Sequence, residues 1–450
     1  MAKEKVRYVC TNCGEMSLSW AGKCPQCGAW NTLQEELVME SSAGVPASSG
    51  RLLTPASVGD MAASDQKRLQ TEMHDVDTVL GGGIVAGSVT LIAGQPGIGK
   101  STLLLQLADA VARKHKVLYV SGEESGHQIG LRAERLGVSG KSLQLATSTS
   151  ADDIAATIAA NSYDLVVVDS IQTIAASAIS SASGSVSQIT NSTQMLMQAA
   201  KRGTSAVVLV GHVTKEGSIA GPKVLEHVVD VVLQLEGDRY GGFKILRATK
   251  NRFGPTTEAG IFEMDEHGLK PVVNPSAALL SERQISDGSV VLATLEGTRP
   301  LLVEVQALVN KTSYGYPKRL ATGIDLNRVN LLVAMLERRT KLNLADQDIY
   351  VNIVGGMRIT EPAADLAVCM AIGSAAKGLQ LKNNAVVFGE VGLSGEVRHV
   401  PYIEKRIAEA KKLGFEAAIG PNQKSGKKNN YLVGVQDVRS ALNQFLEKED

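Results

Sequence analysis

The sequence predicts an α/β protein in three blocks: a short cysteine-rich ribbon, a central block on a mostly parallel sheet, and a C-terminal α+β block. Three observations carry this. Four of the five cysteines lie within the first 27 residues. From about Ser57 to Pro271, the apolar runs "VTLIAG", "VLYVSG", "LVVVDS" and "AVVLVG" alternate with helical segments, the rhythm of βαβ units. Beyond Ala277, the apolar runs "SVVLATL", "IYVNIVGG" and "NAVVFGEVG" mix with two strong helical patterns.

The length of 450 residues suits several domains. Lys plus Arg equals Asp plus Glu at 46 each, so no global field draws the chain to polyanions and any such site is a local patch. No apolar run reaches the roughly eighteen residues of a membrane span, and "MAKEKVRYVC" lacks the apolar core of a signal peptide. The expectation is a cytoplasmic enzyme without membrane contact.

In the first block, residues 1–40, "CTNCG" and "CPQCG" set Cys10, Cys13, Cys24 and Cys27 as two C-x-x-C pairs. In a reducing compartment this pattern points to one tetrahedral Zn2+ rather than disulfides. A closed four-thiolate site organises a module and offers no open position for catalysis. Trp20 and Trp30 flank the second pair; either could stack on a base, but the expectation is packing beneath a ribbon too small for its own core. Residues 41–58, with the uncharged "SSAGVPASSG", read as a linker.

The second block, residues 59–271, carries "GQPGIGKST" between the strand "VTLIA" and the helix "TLLLQLADAVAR". This is the phosphate-loop pattern: Gly94, Gln95, Pro96, Gly97, Ile98 and Gly99 turn backbone N–H groups toward phosphates, Lys100 reaches the terminal ones, Ser101 is placed for Mg2+, and Thr102 follows. ATP with Mg2+ is the expected ligand. Hydrolysis needs a carboxylate for the metal shell and another to orient water. "YDLVVVDS" ends a strand at Asp169, and "VLYVSGEES" ends another with Glu123 and Glu124, of which Glu123 is the expected base. His212 ends "VVLVGH", where it can sense the γ-phosphate or simply finish a strand. "AASAISSASGSVS", residues 175–187, is expected to be mobile. The third block, residues 277–450, holds Cys369 as a buried small hydrophobe and basic residues on its two helices.

The ribbon, "LGGGIVAGSVTLIAGQPGIGKSTLLLQ", "GHVTKEGSIAGPKVLEHVVD", "KNRFG" and the final block, in that order, resemble the bacterial RadA (Sms) family of DNA repair proteins over nearly the whole chain. The central block is similar to RecA and replicative hexameric helicases, and the final one to the Lon protease domain. Against the Lon serine–lysine pattern, the serine position falls on Ala363 and the lysine position at Glu404, beside Lys405, so acyl transfer has no nucleophile. The domain is expected to serve as a scaffold. Arg319, Arg328, Arg338, Arg339, Lys341, Lys405, Arg406, Lys411 and Lys412 form a candidate phosphate-facing track, the alternative being solvated helix faces.

The resemblance further implies a homo-hexameric, DNA-stimulated motor that works on single-stranded and branched DNA with the RecA recombinase. It places DNA-contacting loops at Gln172–Gln188 and after His212, with Lys215 and Lys223. In "GGFKILRATKNRFG" a strand, Phe243–Thr249, delivers Lys250 and Arg252, so that Arg252 is a trans-acting finger, Lys250 its partner, and Phe253 packs to fix the tip. The rival readings are a nucleotide-gated regulatory ATPase and an ATP-dependent peptidase.

Overall fold

A computed structural model describes residues 5–11, 15–17, 19–38, 68–138, 142–212, 224–237, 242–313, 315–382, 384–423 and 429–447. It has two compact units, Met1–Glu236 with Lys244–Pro271, and Gly237–Phe243 with Val272–Asp450. The linker expected at 41–58 lies outside the described residues.

The ribbon is a three-stranded antiparallel sheet, with β1 (Lys5–Cys10) between β2 (Met16–Ser17) and β3 (Leu33–Val38). Its interior is Cys10, Cys24 and Leu33, with Tyr8 against them. Trp20 and Trp30 are therefore not beneath it. They are 59% and 70% exposed, and the buried residues described in the ribbon are cysteines and Leu33. The expectation of packed indoles is corrected.

In the central block, α1 (His74–Leu80) precedes β4 (Val89–Gly94), and α2 (Lys100–Ala112) leads to β5 (Val117–Ser121). Then come α3 (Gly126–Arg135), β6 (Leu143–Thr147), α4 (Ala151–Ala160), β7 (Leu165–Asp169), α5 (Val186–Gly203), β8 (Ala206–His212), α6 (Val224–Val228) and β9 (Val231–Gly237). β10 (Lys244–Asn251), β11 (Ala259–Asp265) and β12 (Gly268–Pro271) close the sheet. The nine strands run in the order β12-β11-β10-β9-β4-β8-β7-β5-β6. From β9 to β6 every pair is parallel, while β10–β11 and β11–β12 are antiparallel.

Every residue of β4, β5 and β7 is buried, which is why their sequences are continuous apolar runs. Period-2 alternation splits them between two cores. Ile92, Val167, Val208 and Leu233 enter one, and Leu91, Val166, Val207 and Val232 the other.

Residues 175–187 are not a loose loop. The buried Gln188 side chain donates to Ile179 O at 2.8 Å and Ser181 O at 3.0 Å, and accepts from Ala176 N at 2.9 Å. One amide thus supplies the backbone partners that the small side chains lack.

The second unit begins with α7 (Pro275–Leu280). Its sheet contains β13 (Ser289–Glu296), β14 (Arg299–Lys311), β15 (Arg319–Thr322), β16 (Gln347–Ile353), β17 (Ala385–Val387), β18 (Ala417–Pro421) and β19 (Leu432–Val435). The order is β15-β16-β14-β13-β17-β18-β19. Around it lie α8 (Leu326–Thr340), α9 (Asp365–Lys377), α10 (Ile403–Lys412) and α11 (Val438–Phe445). Cys369 is buried in α9, and burial pushes its thiol well up.

Ala363, 2% exposed, sits in a short 3-10 turn, Pro362–Ala364, that starts from Glu361. Arg406, on α10, is 0% exposed. It donates to Glu361 Oε1 at 2.9 Å, Glu361 Oε2 at 2.7 Å and Ala293 O at 2.6 Å. The proposed basic track is accordingly broken. Arg406 faces inward, Arg328 grips Asp365, Lys405 donates to Thr298 O at 3.1 Å, and Lys411 lies over the Tyr431 ring.

Candidate functional site

The phosphate loop joins β4 to α2. Gly97 and Gly99 hold φ of 78° and 112°, left-handed values that glycine adopts readily, and Ile98 N donates to Gln95 O within the loop at 3.3 Å. Buried Ile98 pins the loop to the core, while Gln95, Pro96 and Gly97 stay exposed. Gly94 ends β4, and Ser101 and Thr102, half-buried, lie in the first turn of α2. Lys100 Nζ donates to Gly94 O at 2.9 Å and Gln95 O at 3.1 Å, and lies 3.2 Å from His212 Nδ1. Burial pulls its pKa down to about 8, although Asp169 and Glu123 pull the other way.

The strand order brings the carboxylates to this loop. β8 lies between β4 and β7, and Ser121 of β5 pairs with Asp169 of β7, so Glu123, Asp169 and His212 all stand at the same sheet edge as Gly94. Glu123 Oε1 accepts from Ser170 Oγ and lies 3.3 Å from His212 Nε2. Burial raises the Glu123 pKa, but these two hydrogen bonds and the His212 and Lys100 charges together outweigh it, and the carboxyl is held below its usual range. Glu124 is committed elsewhere, in an ion pair with Arg132. Asp169 accepts from Tyr119 Oη at 2.6 Å, and burial with this bond pushes the Tyr119 pKa far up, so the phenol stays a donor. The chain Lys100–His212–Glu123–Ser170 is continuous. Sequence reasoning gave no role to Ser170, noted only as following Asp169, nor to Tyr119 and Arg132: Ser170 and Tyr119 act through carboxylates 47 and 50 positions away, and Arg132 through Glu124, eight positions before it.

Lys250 and Arg252 lie at the other end of the sheet. Lys250 Nζ donates to Glu226 O and Val229 O, both at 2.7 Å, closing the C-terminal end of α6. Burial, with Arg252 adding to it, lowers its pKa. Arg252 Nη1 lies 3.2 Å from Asp230 Oδ1, whose other oxygen accepts from Val89 N at 3.1 Å. Phe253 packs on the core, and its carbonyl accepts from Arg68 at 2.8 Å. The strand runs on to Asn251, two residues past its expected end. Lys215 and Lys223 lie outside the described residues.

In the ribbon, the sulfurs of Cys10, Cys24 and Cys27 lie within 4.8 Å of one another, and Cys10 Sγ is 3.7 Å from Cys27 Sγ. Thiolates about 2.3 Å from a tetrahedral zinc stand about 3.8 Å apart, so this donor set fits. Cys13 lies outside the described residues.

Residues 8–35 match the rubredoxin metal binding domain family, 55–218 the AAA domain family, and 327–424 the family described as subunit ChlI of Mg-chelatase. The DNA repair protein RadA of Bacillus subtilis (strain 168) is 48% identical over 99% of this chain and 100% of that protein. The chain belongs to the RadA family of DNA repair proteins. RadA of Aquifex aeolicus (strain VF5) is 48% identical over 94% of each chain. Among solved structures, the RadB recombinase is 25% identical and covers 45% of this chain and 99% of its own, with a TM-score of 0.37. By its family and domain matches, this RadA-family chain is a zinc-ribbon ATPase with a parallel-sheet central block, and ATP, Mg2+ and Zn2+ as cofactors. Among the described residues, no helix is long and apolar enough to cross a membrane.

Proposed function

We propose that the chain is a DNA-stimulated ATP-driven motor of recombinational repair. It assembles as a homo-hexameric ring on single-stranded DNA beside a RecA-made joint and drives branch migration of the resulting branched intermediates. Within the site, Lys100 takes the terminal phosphates, Ser101 and Asp169 hold Mg2+, Glu123 orients and deprotonates the attacking water, and His212 senses the γ-phosphate.

The observation that carries the ring reading is where Arg252 lies. It is tied to Asp230, beside Val89, at the opposite end of β4 from Gly94. Five steps along a strand span about 17 Å, more than an arginine side chain covers. Arg252 therefore cannot serve its own phosphate loop. A finger so placed acts on a neighbour's nucleotide, which a heterologous ring interface provides. The test is ATP hydrolysis with and without single-stranded DNA. Lys100→Ala and Arg252→Ala are each expected to be inactive alone, and an equal mixture to regain activity at roughly one site in four by random assortment. A mixture as dead as its components removes the shared site, and hydrolysis indifferent to DNA removes the motor.

The lowered Lys100 pKa gives a second expected outcome. Phosphate raises the pKa of the ammonium it binds, so nucleotide affinity is constant below pH 8 and falls above it, by up to about tenfold per pH unit, as free Lys100 loses its proton. Titration of a fluorescent ATP analogue from pH 7 to 9.5 reads this directly, with Lys100→Arg expected to abolish the slope.

A further inference from the structure

The exposed indoles of the ribbon are unexplained by zinc binding, by packing or by the ATPase cycle. Both tryptophans of the chain are in this pair. Asn31 N donates to Gly22 O at 2.8 Å and Lys23 bridges Trp30, so the second cysteine pair closes a small hairpin with Trp20 and Trp30 on its outer side. The rings converge: a Cβ on Gly22 would lie 3.8 Å from the Trp20 benzo edge and 3.8 Å from that of Trp30. Gly22 thus leaves open the space over which both rings stand. Lys23 Nζ lies over the Trp30 ring, 5.7 Å from its centre, which sets one cation against an indole of the pair.

We propose that Trp20, Gly22, Lys23 and Trp30 form a stacking site for unpaired nucleobases of single-stranded DNA, with Lys23 turning to the adjoining phosphate. The proposal rests on the chain working on DNA. An unpaired base offers a π-face of the width of an indole and carries an anion one sugar away, matching this pairing of surface and charge. Duplex DNA keeps its bases stacked inside and offers the site only phosphate.

Because no other tryptophan is present, tryptophan emission reports this site alone. With the zinc-loaded full chain, an oligothymidylate is expected to quench that emission saturably, whereas a duplex of the same length leaves it unchanged. Trp20→Ala and Trp30→Ala are each expected to weaken oligothymidylate binding about tenfold by anisotropy of a labelled strand. Trp30→Tyr should restore most of it. Gly22→Ile, which fills the space between the rings and removes neither, should match the alanine variants while retaining zinc. Unchanged emission in a wild-type chain whose ATP hydrolysis responds to DNA would overturn the proposal and leave the motor standing; the pair would then face a protein. Alanine variants that bind as wild type overturn it equally. A chain that binds no DNA by anisotropy sinks both readings.

Discussion

Glu123→Gln is expected to lower the ATP turnover number by about 10²–10⁴-fold while leaving nucleotide affinity within a few-fold of wild type. The amide is isosteric, and its oxygen still accepts from Ser170 Oγ, so the local geometry survives. What is lost is a carboxylate that Ser170, His212 and Lys100 together keep ionised. Glu124→Gln is the discriminating partner. It cuts the ion pair with Arg132 and should slow turnover only a few-fold, because that carboxylate is already spoken for. Rapid-quench turnover beside equilibrium nucleotide binding separates the two effects. Equal losses in both variants would mean that the water is oriented elsewhere.

Arg406→Ala should destabilise the C-terminal unit by about 3–5 kcal/mol, the usual cost of leaving one partner of a buried ion pair alone. For a unit of this size that lowers its melting transition by about 10 °C. The Glu361 carboxylate also accepts from Thr294 Oγ1 and Leu295 N. A double variant, Arg406→Leu with Glu361→Leu, should therefore recover only part of the loss, since it orphans those two donors. Calorimetry with ATP present keeps the ATPase transition apart. A shift of under 2 °C in Arg406→Ala would show that the guanidinium is solvated in solution.

Much of the fold was legible because the relevant signals are local. β4 and β7 are buried on both faces and so read as unbroken apolar runs, and the phosphate loop declares itself within nine residues. The ribbon's cysteine spacing is likewise local. The errors have the opposite character. Arg406 looks like one more cation on a helix face until Glu361, 45 positions away, is folded against it. Gln188 turns a low-complexity run into fixed backbone through contacts that composition does not encode. Trp20 and Trp30 were expected beneath the ribbon because it is too small for its own core, whereas among the described residues Cys10, Cys24 and Leu33 form its interior. The Lys250–Arg252 tip is not among these errors, but its engagement with α6 and Asp230 could not be read locally, since it depends on where a helix more than twenty residues earlier comes to rest.

The buried pair in the C-terminal unit also bears on what this chain can become. Glu361 begins the turn that carries Ala363, and Arg406 locks it from α10. Ala363→Ser would add a hydroxyl at a position 2% exposed, while Lys405 is bound to the Thr298 carbonyl. A hydroxyl placed there would need a lysine that is free to serve it, and loosening the Glu361–Arg406 pair to make room would cost about 3–5 kcal/mol of stability. A change at Ala363 alone therefore leaves this turn a structural element, held by its ion pair to α10.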